Sequence, residues 1–150
     1  IVEIAKAANG DCLAVAVPQE LIHLRELGLN NQIWVLEGPF SISCLKYSHN
    51  TIWVVHSFWQ LDLIKQALER NIVSQLDVCI KLDSGMHRLG FVSSELPELI
   101  FFLNKLKQKF RLTNLSFKDN AWYRVSHCWG EISACFFLPT KSLVAVACLE

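Results

Sequence analysis

The chain has 150 residues, of which 52% are hydrophobic, so it is long and apolar enough to form one domain with a packed core and is not typical of a disordered protein. Its 14 basic and 14 acidic residues cancel and form no basic stripe, which argues against nucleic-acid binding. The longest apolar runs are too short to cross a bilayer, so we expect no membrane segment.

Apolar strands alternate with amphipathic helices along most of the chain. We predict strands at residues 12–17, 33–36, 51–56 and 76–82. We predict helices at residues 1–8, 18–27, 59–70 and 96–110, and a weaker helix or a loop at 40–50. Ser57 is the expected cap of the third helix, and Ser93 or Ser94 that of the fourth.

Leucine and isoleucine residues at helical spacing predict which helix faces are buried. The predicted core-facing residues are Leu21, Leu24, Leu27, Leu61, Ile64, Leu68, Leu96, Leu99, Ile100, Leu103, Leu106 and Phe110. The strands lack a period of two, which indicates burial on both faces and a parallel sheet with right-handed crossovers. A closed (β/α)8 barrel needs roughly 250 residues, so these residues would form little more than half of one.

One strand is followed by a polar turn that carries the chemically reactive residues. Val78 to Phe91 reads VCIKLDSGMHRLGF. Because α/β folds place reactive groups at the C-terminal ends of their strands, Lys81 and Arg88 are the candidate site residues.

Lys81 stands between Ile80 and Leu82, where a bare ammonium group would be costly to bury. Carbamylation would turn its amine into a carboxylate, which could accept a bidentate bond from the Arg88 guanidinium. The alternative is that Lys81 extends its amine to solvent and that Arg88 is an ordinary surface turn residue.

The segment KLDSGMHRLGF closely resembles the K-[LVM]-D-[ST]-G-M-x-R-L-G pattern of bacterial alanine racemases, which are fold-type III pyridoxal-phosphate enzymes. Weaker similarities, at Cys12–Leu21, Ile33–Phe40 and Val55–Leu61, follow in the family's order and cover about the first 110 residues. The resemblance implies an α/β fold, a partial (β/α)8 TIM-type barrel with parallel strands. It also implies that Arg88 contacts the cofactor ring oxygen and the substrate, and that Lys81 is carbamylated.

Two further residues have cofactor-binding roles only by this resemblance. Leu36 aligns with a family position that packs on the cofactor ring, although a strand leucine is more often plain core. Ser126-His127 partly matches a family S-H-F-[AT] segment whose histidine lies against the pyridine ring. The alternative for His127 is an ordinary half-buried histidine.

The family's two catalytic bases have no counterpart in these residues, so we assign no catalytic residue. One base is the cofactor lysine of a V-K-A-N-A-Y-G-H-G segment, and the other is a tyrosine from the partner subunit. Lys6 lies among alanines in a predicted helix and does not replace the cofactor lysine. We therefore expect an N-terminally incomplete chain that does not racemise alanine by itself.

The predicted division is 1–111, part of the cofactor-binding barrel, and 112–150, a divergent or out-of-frame tail, with a variant insertion as the alternative. The resemblance implies a fragment of a cytoplasmic, homodimeric alanine racemase that supplies D-alanine for peptidoglycan with pyridoxal 5'-phosphate as cofactor. The alternatives are another fold-type III amino-acid racemase and a non-catalytic remnant of a degraded gene that binds no cofactor.

The cysteines and histidines suggest no metal site. The six cysteines are dispersed without a C-x-x-C pair, so we expect reduced, mostly buried thiols, with a zinc site or a disulfide framework as the less favoured alternative. His23 and His49 are expected on the surface, and His87 in a turn. His56 follows a strand, where structural hydrogen bonds are the favoured role and an approach to the site the alternative.

Overall fold

The computed structural model describes residues 12–83, 85, 87–110 and 135–136. The described residues divide into two compact units, one up to Val78 and one from Cys79 onward. The predicted helix at 1–8 and most of the predicted tail at 112–150 lie outside the described residues.

The first unit is built on three parallel strands with two helices. Strand β1 (Cys12–Val15) is followed by helix α1 (Pro18–Glu26), strand β2 (Gln32–Val35), strand β3 (Thr51–Val55) and helix α2 (Phe58–Glu69). β1 pairs with β2, and β2 pairs with β3. A 3-10 helix, Ser43–Tyr47, occupies part of the stretch for which a helix or a loop was expected. The parallel pairing was predicted from the apolar, non-alternating strands.

The core of the first unit contains both faces of β2 and most of β3, as their sequences predicted. Ile33, Trp34 and Val35 are all buried, and so are Trp53, Val54 and Val55 of β3. β1 differs, because Ala14 is exposed and its neighbours are only partly buried. Among the described strands, β1 pairs only with β2 and so lies at an edge of the described sheet.

Most of the predicted core-facing helix residues are buried. Leu27, Leu96 and Ile100 are the exceptions, of which Leu96 is partly buried, and the side chain of Phe110 lies outside the described residues. The leucines and isoleucine at positions 21, 24, 61, 64, 68, 99, 103 and 106 are buried. Leu27 is instead 44% exposed, because α1 ends at Glu26 and the chain turns away at Gly28, whose φ is +81°. In the helix at residues 96–110, Ile100 is 45% exposed and lies beside the exposed Phe101. The apolar stripe of this helix is therefore wider than its buried face.

Strand β4 (Asp77–Lys81) leads into the second unit, which contains helix α3 (Leu96–Phe110) after a 3-10 turn at Ser93–Glu95. β4 pairs antiparallel with a short strand β5 (Cys135–Phe136), in the register Ile80 to Phe136. β5 lies in the predicted tail, outside the segment for which parallel strands were expected. Among the described helices, none has the length and apolar character needed to cross a membrane.

The predicted serine caps were confirmed in position for Ser57 and wrong for Ser93 and Ser94, because Val92 is the cap of the turn that leads into the last helix. Ser57 occupies the N-cap position of α2, but its buried Oγ has no hydrogen-bond partner among the described residues. Gln60 instead binds the residue before the cap, since its Oε1 accepts the backbone N–H of His56 at 2.9 Å. Before α3 the Glu95 carboxylate accepts the backbone N–H of Val92 at 2.8 Å. The start of this helix is therefore stabilised by an acidic side chain.

Candidate functional site

Lys81 is buried at the C-terminal end of β4. Only 6% of the residue is exposed, and the preceding Cys79 and Ile80 are buried too. This burial agrees with the apolar neighbours of Lys81 in the strand, and its suggested roles stay predictions. No ion pair or hydrogen bond to the Lys81 amine is found within the described part of the chain.

The polar turn after β4 is a closed loop. The N–H of Asp83 donates to the carbonyl of Phe91 at 2.9 Å, and the N–H of Phe91 donates to the carbonyl of Lys81 at 3.0 Å. Gly90 makes this closure possible: its φ is +132°, and a Cβ there would lie 2.5 Å from the Asp83 nitrogen. Any larger residue at position 90 would push the two ends of the loop apart.

The carboxylate of Asp83 makes hydrogen bonds to other residues of this loop. Its Oδ1 accepts the backbone N–H groups of Gly85 and His87, each at 3.0 Å. Its Oδ2 lies 3.0 Å from Nδ1 of His87, which is in the left-handed region with φ +56°. The N–H of Gly85, followed by that of His87, holds the pKa of the Asp83 carboxyl below its ordinary 3.8; partial burial opposes this, and the His87 side chain lowers the pKa further.

Arg88 directly follows His87 and is exposed, as its position in a polar turn predicts. Lys81 is therefore buried at one end of this segment, while a permanently charged guanidinium is displayed near the other. No observation on the described residues tests the carbamylation of Lys81 or its pairing with Arg88, so both stay predictions.

The other two predicted cofactor residues are less informative. Leu36 lies in the turn directly after β2 rather than within the strand, and its N–H donates to the carbonyl of Val15 at 2.9 Å. It is partly buried, which is compatible with either of its two suggested roles. His127 lies outside the described residues.

A second polar network joins the C-terminal ends of β2 and β3. The side chain of Gln60 is completely buried, and its Nε2 donates to the carbonyl of Glu37 at 2.7 Å. The same Nε2 lies 3.2 Å from Nε2 of His56. His56 thus makes structural hydrogen bonds, as favoured from the sequence. Gln60 was missed as a structural residue, although a glutamine on the otherwise apolar face of α2 was a detectable signal.

Arg25 connects the N-terminal ends of β2 and β3. Its guanidinium donates to the carbonyls of Leu29 and Asn31, which precede β2, at 2.7 and 2.9 Å. It also donates to His49, Asn50 and Thr51 at the start of β3, at 2.9 to 3.1 Å. Burial lowers the pKa of this guanidinium below its ordinary value. Because this is the N-terminal edge of the strands, we assign Arg25 to stability rather than chemistry.

Two of the six cysteines have described side chains, and both Cys44 and Cys79 are buried thiols. The Cys44 thiol donates to the carbonyl of Ser41 at 2.9 Å. Within the described residues, no group of three histidine, cysteine or acidic side chains is placed to hold a metal ion. His23 and His49 are exposed, as predicted.

Comparison with known proteins supports the resemblance carried by the β4 loop. Residues 1–117 match the family model described as alanine racemase, N-terminal domain. The catabolic alanine racemase of Pseudomonas aeruginosa is 44% identical over 89 residues, which are 58% of this chain and 24% of that protein. The alanine racemase of Pseudomonas savastanoi pv. phaseolicola is 40% identical over 153 residues, an alignment that takes in 99% of this chain and 42% of that protein.

Solved structures give the same result for the fold. The alanine racemase of Acinetobacter baumannii has a TM-score of 0.53 and 32% identity, over 71% of this chain and 30% of that one. The biosynthetic alanine racemase of Pseudomonas aeruginosa has a TM-score of 0.57 and 30% identity, over 69% and 29% respectively. The chain therefore spans less than half the length of these relatives, and its α/β fold is part of a TIM-type barrel. It belongs to the alanine racemase N-terminal domain family.

Proposed function

We propose that this chain is part of an enzyme that interconverts L-alanine and D-alanine with pyridoxal 5'-phosphate. The full enzyme would be a cytoplasmic homodimer that supplies D-alanine for peptidoglycan. The support is the family match together with the KLDSGMHRLGF segment. The observation that carries the proposal is the buried Lys81 amine at the end of β4, followed in the same segment by the exposed Arg88.

Lys81 would be carbamylated in the working enzyme. Its neutral amine nitrogen forms a bond to the carbon of CO2 and releases one proton, which leaves a carbamate anion. The carbamate would then accept a bidentate hydrogen bond from Arg88 and hold its guanidinium in one orientation.

Arg88 would bind both cofactor and substrate. A guanidinium keeps its charge at any physiological pH, so it suits the ring oxygen of the cofactor and the carboxylate of alanine. The exposed position of Arg88 is compatible with this role. When bound, pyridoxal phosphate supplies the electron sink that lets the α-proton of alanine be removed. Leu36 and His127 remain proposed contacts of the pyridine ring.

We further propose that these 150 residues do not racemise alanine unaided, since no segment among them resembles the family's cofactor lysine or tyrosine base. The second candidate is a non-catalytic remnant, and the same observation favours it. Sequencing the gene on both sides distinguishes the two: a continuous frame through a V-K-A-N-A-Y-G segment and a second domain supports the enzyme, and an interrupted frame supports the remnant. Peptides from 112–150 in the native proteome would count against decay.

The test of activity uses the longest protein translated from the frame that contains this chain. It is supplied with pyridoxal phosphate in D2O, and the deuterium gained at the α-carbon of L-alanine is measured beside the appearance of D-alanine. We expect both with alanine, and neither with serine or lysine as substrate. Equal activity on serine or lysine would indicate a different fold-type III racemase.

A further inference from the structure

We propose that Asp83 is a positioning residue for Arg88, acting through the backbone of Gly85 and His87. This role rests on the proposed function of Arg88, because it concerns how the loop presents that guanidinium. Asp83 itself would contact neither cofactor nor substrate.

The first step of the argument is the loop closure. Two backbone hydrogen bonds join Asp83 to Phe91 and Phe91 to Lys81, so the ends of the loop are fixed relative to β4. Gly90 allows the close approach, with no room for a Cβ against the Asp83 backbone. These contacts fix both ends of the loop but leave the residues between them to be ordered by something else.

The second step is the carboxylate of Asp83. Its side chain is 6% exposed, whereas that of His87 is 78% exposed. It accepts two backbone N–H groups and faces the His87 imidazole, all at 3.0 Å. The Asp83 side chain therefore holds Gly85 and His87 from inside the loop, while the His87 side chain contributes from the outside.

The third step is the backbone of His87, which immediately precedes Arg88. Its φ of +56° is unfavourable for a residue with a Cβ and persists only where other contacts hold it. The bond from its N–H to Asp83 is such a contact. Since the direction of the chain at His87 decides where Arg88 begins, loss of the Asp83 carboxylate would release Arg88 to several orientations.

The experiment measures deuterium uptake by mass spectrometry in the peptide that covers residues 82–91, in the longest protein that contains this chain. Asp83→Ala should speed exchange at the Gly85 and His87 amides about tenfold, because hydrogen bonds to a charged acceptor are lost. Asp83→Asn should restore most of the protection, since its amide oxygen still accepts an N–H group. Asp62→Ala removes an exposed carboxylate from α2 and should leave the 82–91 peptide unchanged.

The location of the change in deuterium exchange distinguishes a positioning role of Asp83 from a general effect on stability. We expect any rise in exchange in β2 and β3 to be no larger than the variant's loss of unfolding free energy explains, and the rise in the 82–91 peptide to be clearly larger; a merely structural role would raise both by the same factor. We also expect Asp83→Ala to weaken pyridoxal phosphate binding about tenfold and Asp83→Asn to recover it. Unchanged exchange at 82–91 in Asp83→Ala, or a rise there no larger than that in β2 and β3, would overturn the proposal. Absence of cofactor binding in the parent would overturn the proposed function alone, since the exchange result is obtained without cofactor.

Discussion

Gly38 and Gln60 leave no space between them: a Cβ on Gly38 would lie 2.6 Å from Nε2 of Gln60 and 2.2 Å from the carbonyl oxygen of Val54. The backbone of Gly38 is also left-handed, with φ +74°. Both constraints arise where β2 and β3 end, because Gln60 holds the carbonyl of Glu37 and the N–H of His56. This edge of the sheet is thus held together by a buried amide packed against a glycine.

Gly38→Ala should destabilise the protein by about 2–5 kcal/mol, from an unfavourable backbone combined with overpacking. The matched control is Gly28→Ala, where φ is +81° but no atom lies within 4 Å of the added Cβ. The control substitution should lower the free energy of unfolding only by the cost of its left-handed backbone, about 1–2 kcal/mol. Urea unfolding of both variants measures the difference, and equal losses would show that packing against Gln60 is unimportant.

Arg25→Lys should destabilise the protein by about 2–4 kcal/mol, although the charge is kept. One ammonium group cannot reach acceptors on both sides, at Leu29 and Asn31 and at the start of β3. Arg70 is the control, because its single side-chain bond, to Gln66, is long at 3.5 Å and exposed. Arg70→Lys should change the free energy of unfolding by less than about 0.5 kcal/mol. A comparable loss in both variants would contradict the anchoring role of Arg25.

Asp83 should make stability depend on pH in the acid range. Its pKa in the folded chain lies below the ordinary 3.8, chiefly because of the Gly85 and His87 N–H groups. A lowered carboxyl pKa adds stability that is fully present above the unfolded value and is lost as the pH falls through the folded value. The charged or titratable side chain known to face Asp83 is that of His87.

Urea unfolding at a series of pH values, in the parent and in Asp83→Asn, measures this effect. The parent should be the more stable at about pH 6, and the two should converge as the pH falls below about 4. The asparagine cannot titrate, so curves that stay parallel over this range would show that the Asp83 carboxylate contributes no pH-dependent stability.

The sequence predicted the elements well because their apolar patterns are set by burial, which local spacing reveals. Trp53 and Leu61 needed nothing more than their spacing to be placed in the core. The contacts that close the loops were not predictable in this way. Arg25 and Gln60 bind backbone carbonyls on other elements, and no spacing rule specifies a partner 23 to 25 residues away.

The candidate site was predicted in the same uneven manner. The motif identified Lys81 and Arg88, and burial of a strand lysine followed from its apolar neighbours. Asp83 was part of the same motif but received no role, because its partners are backbone N–H groups that carry no sequence signal. The left-handed backbone conformation of His87 was likewise not predictable, since residues with a Cβ rarely adopt it.

The most direct measurement of the central claim is α-deuterium incorporation into L-alanine by the longest protein that contains this chain, with and without Arg88→Lys. We expect incorporation and D-alanine in the parent, and a loss of about tenfold or more in kcat/KM in the variant, because lysine cannot make the bidentate contact. Incorporation unaffected by Arg88→Lys would contradict the role of Arg88, and a continuous, folded and cofactor-loaded parent without incorporation would contradict the proposed function.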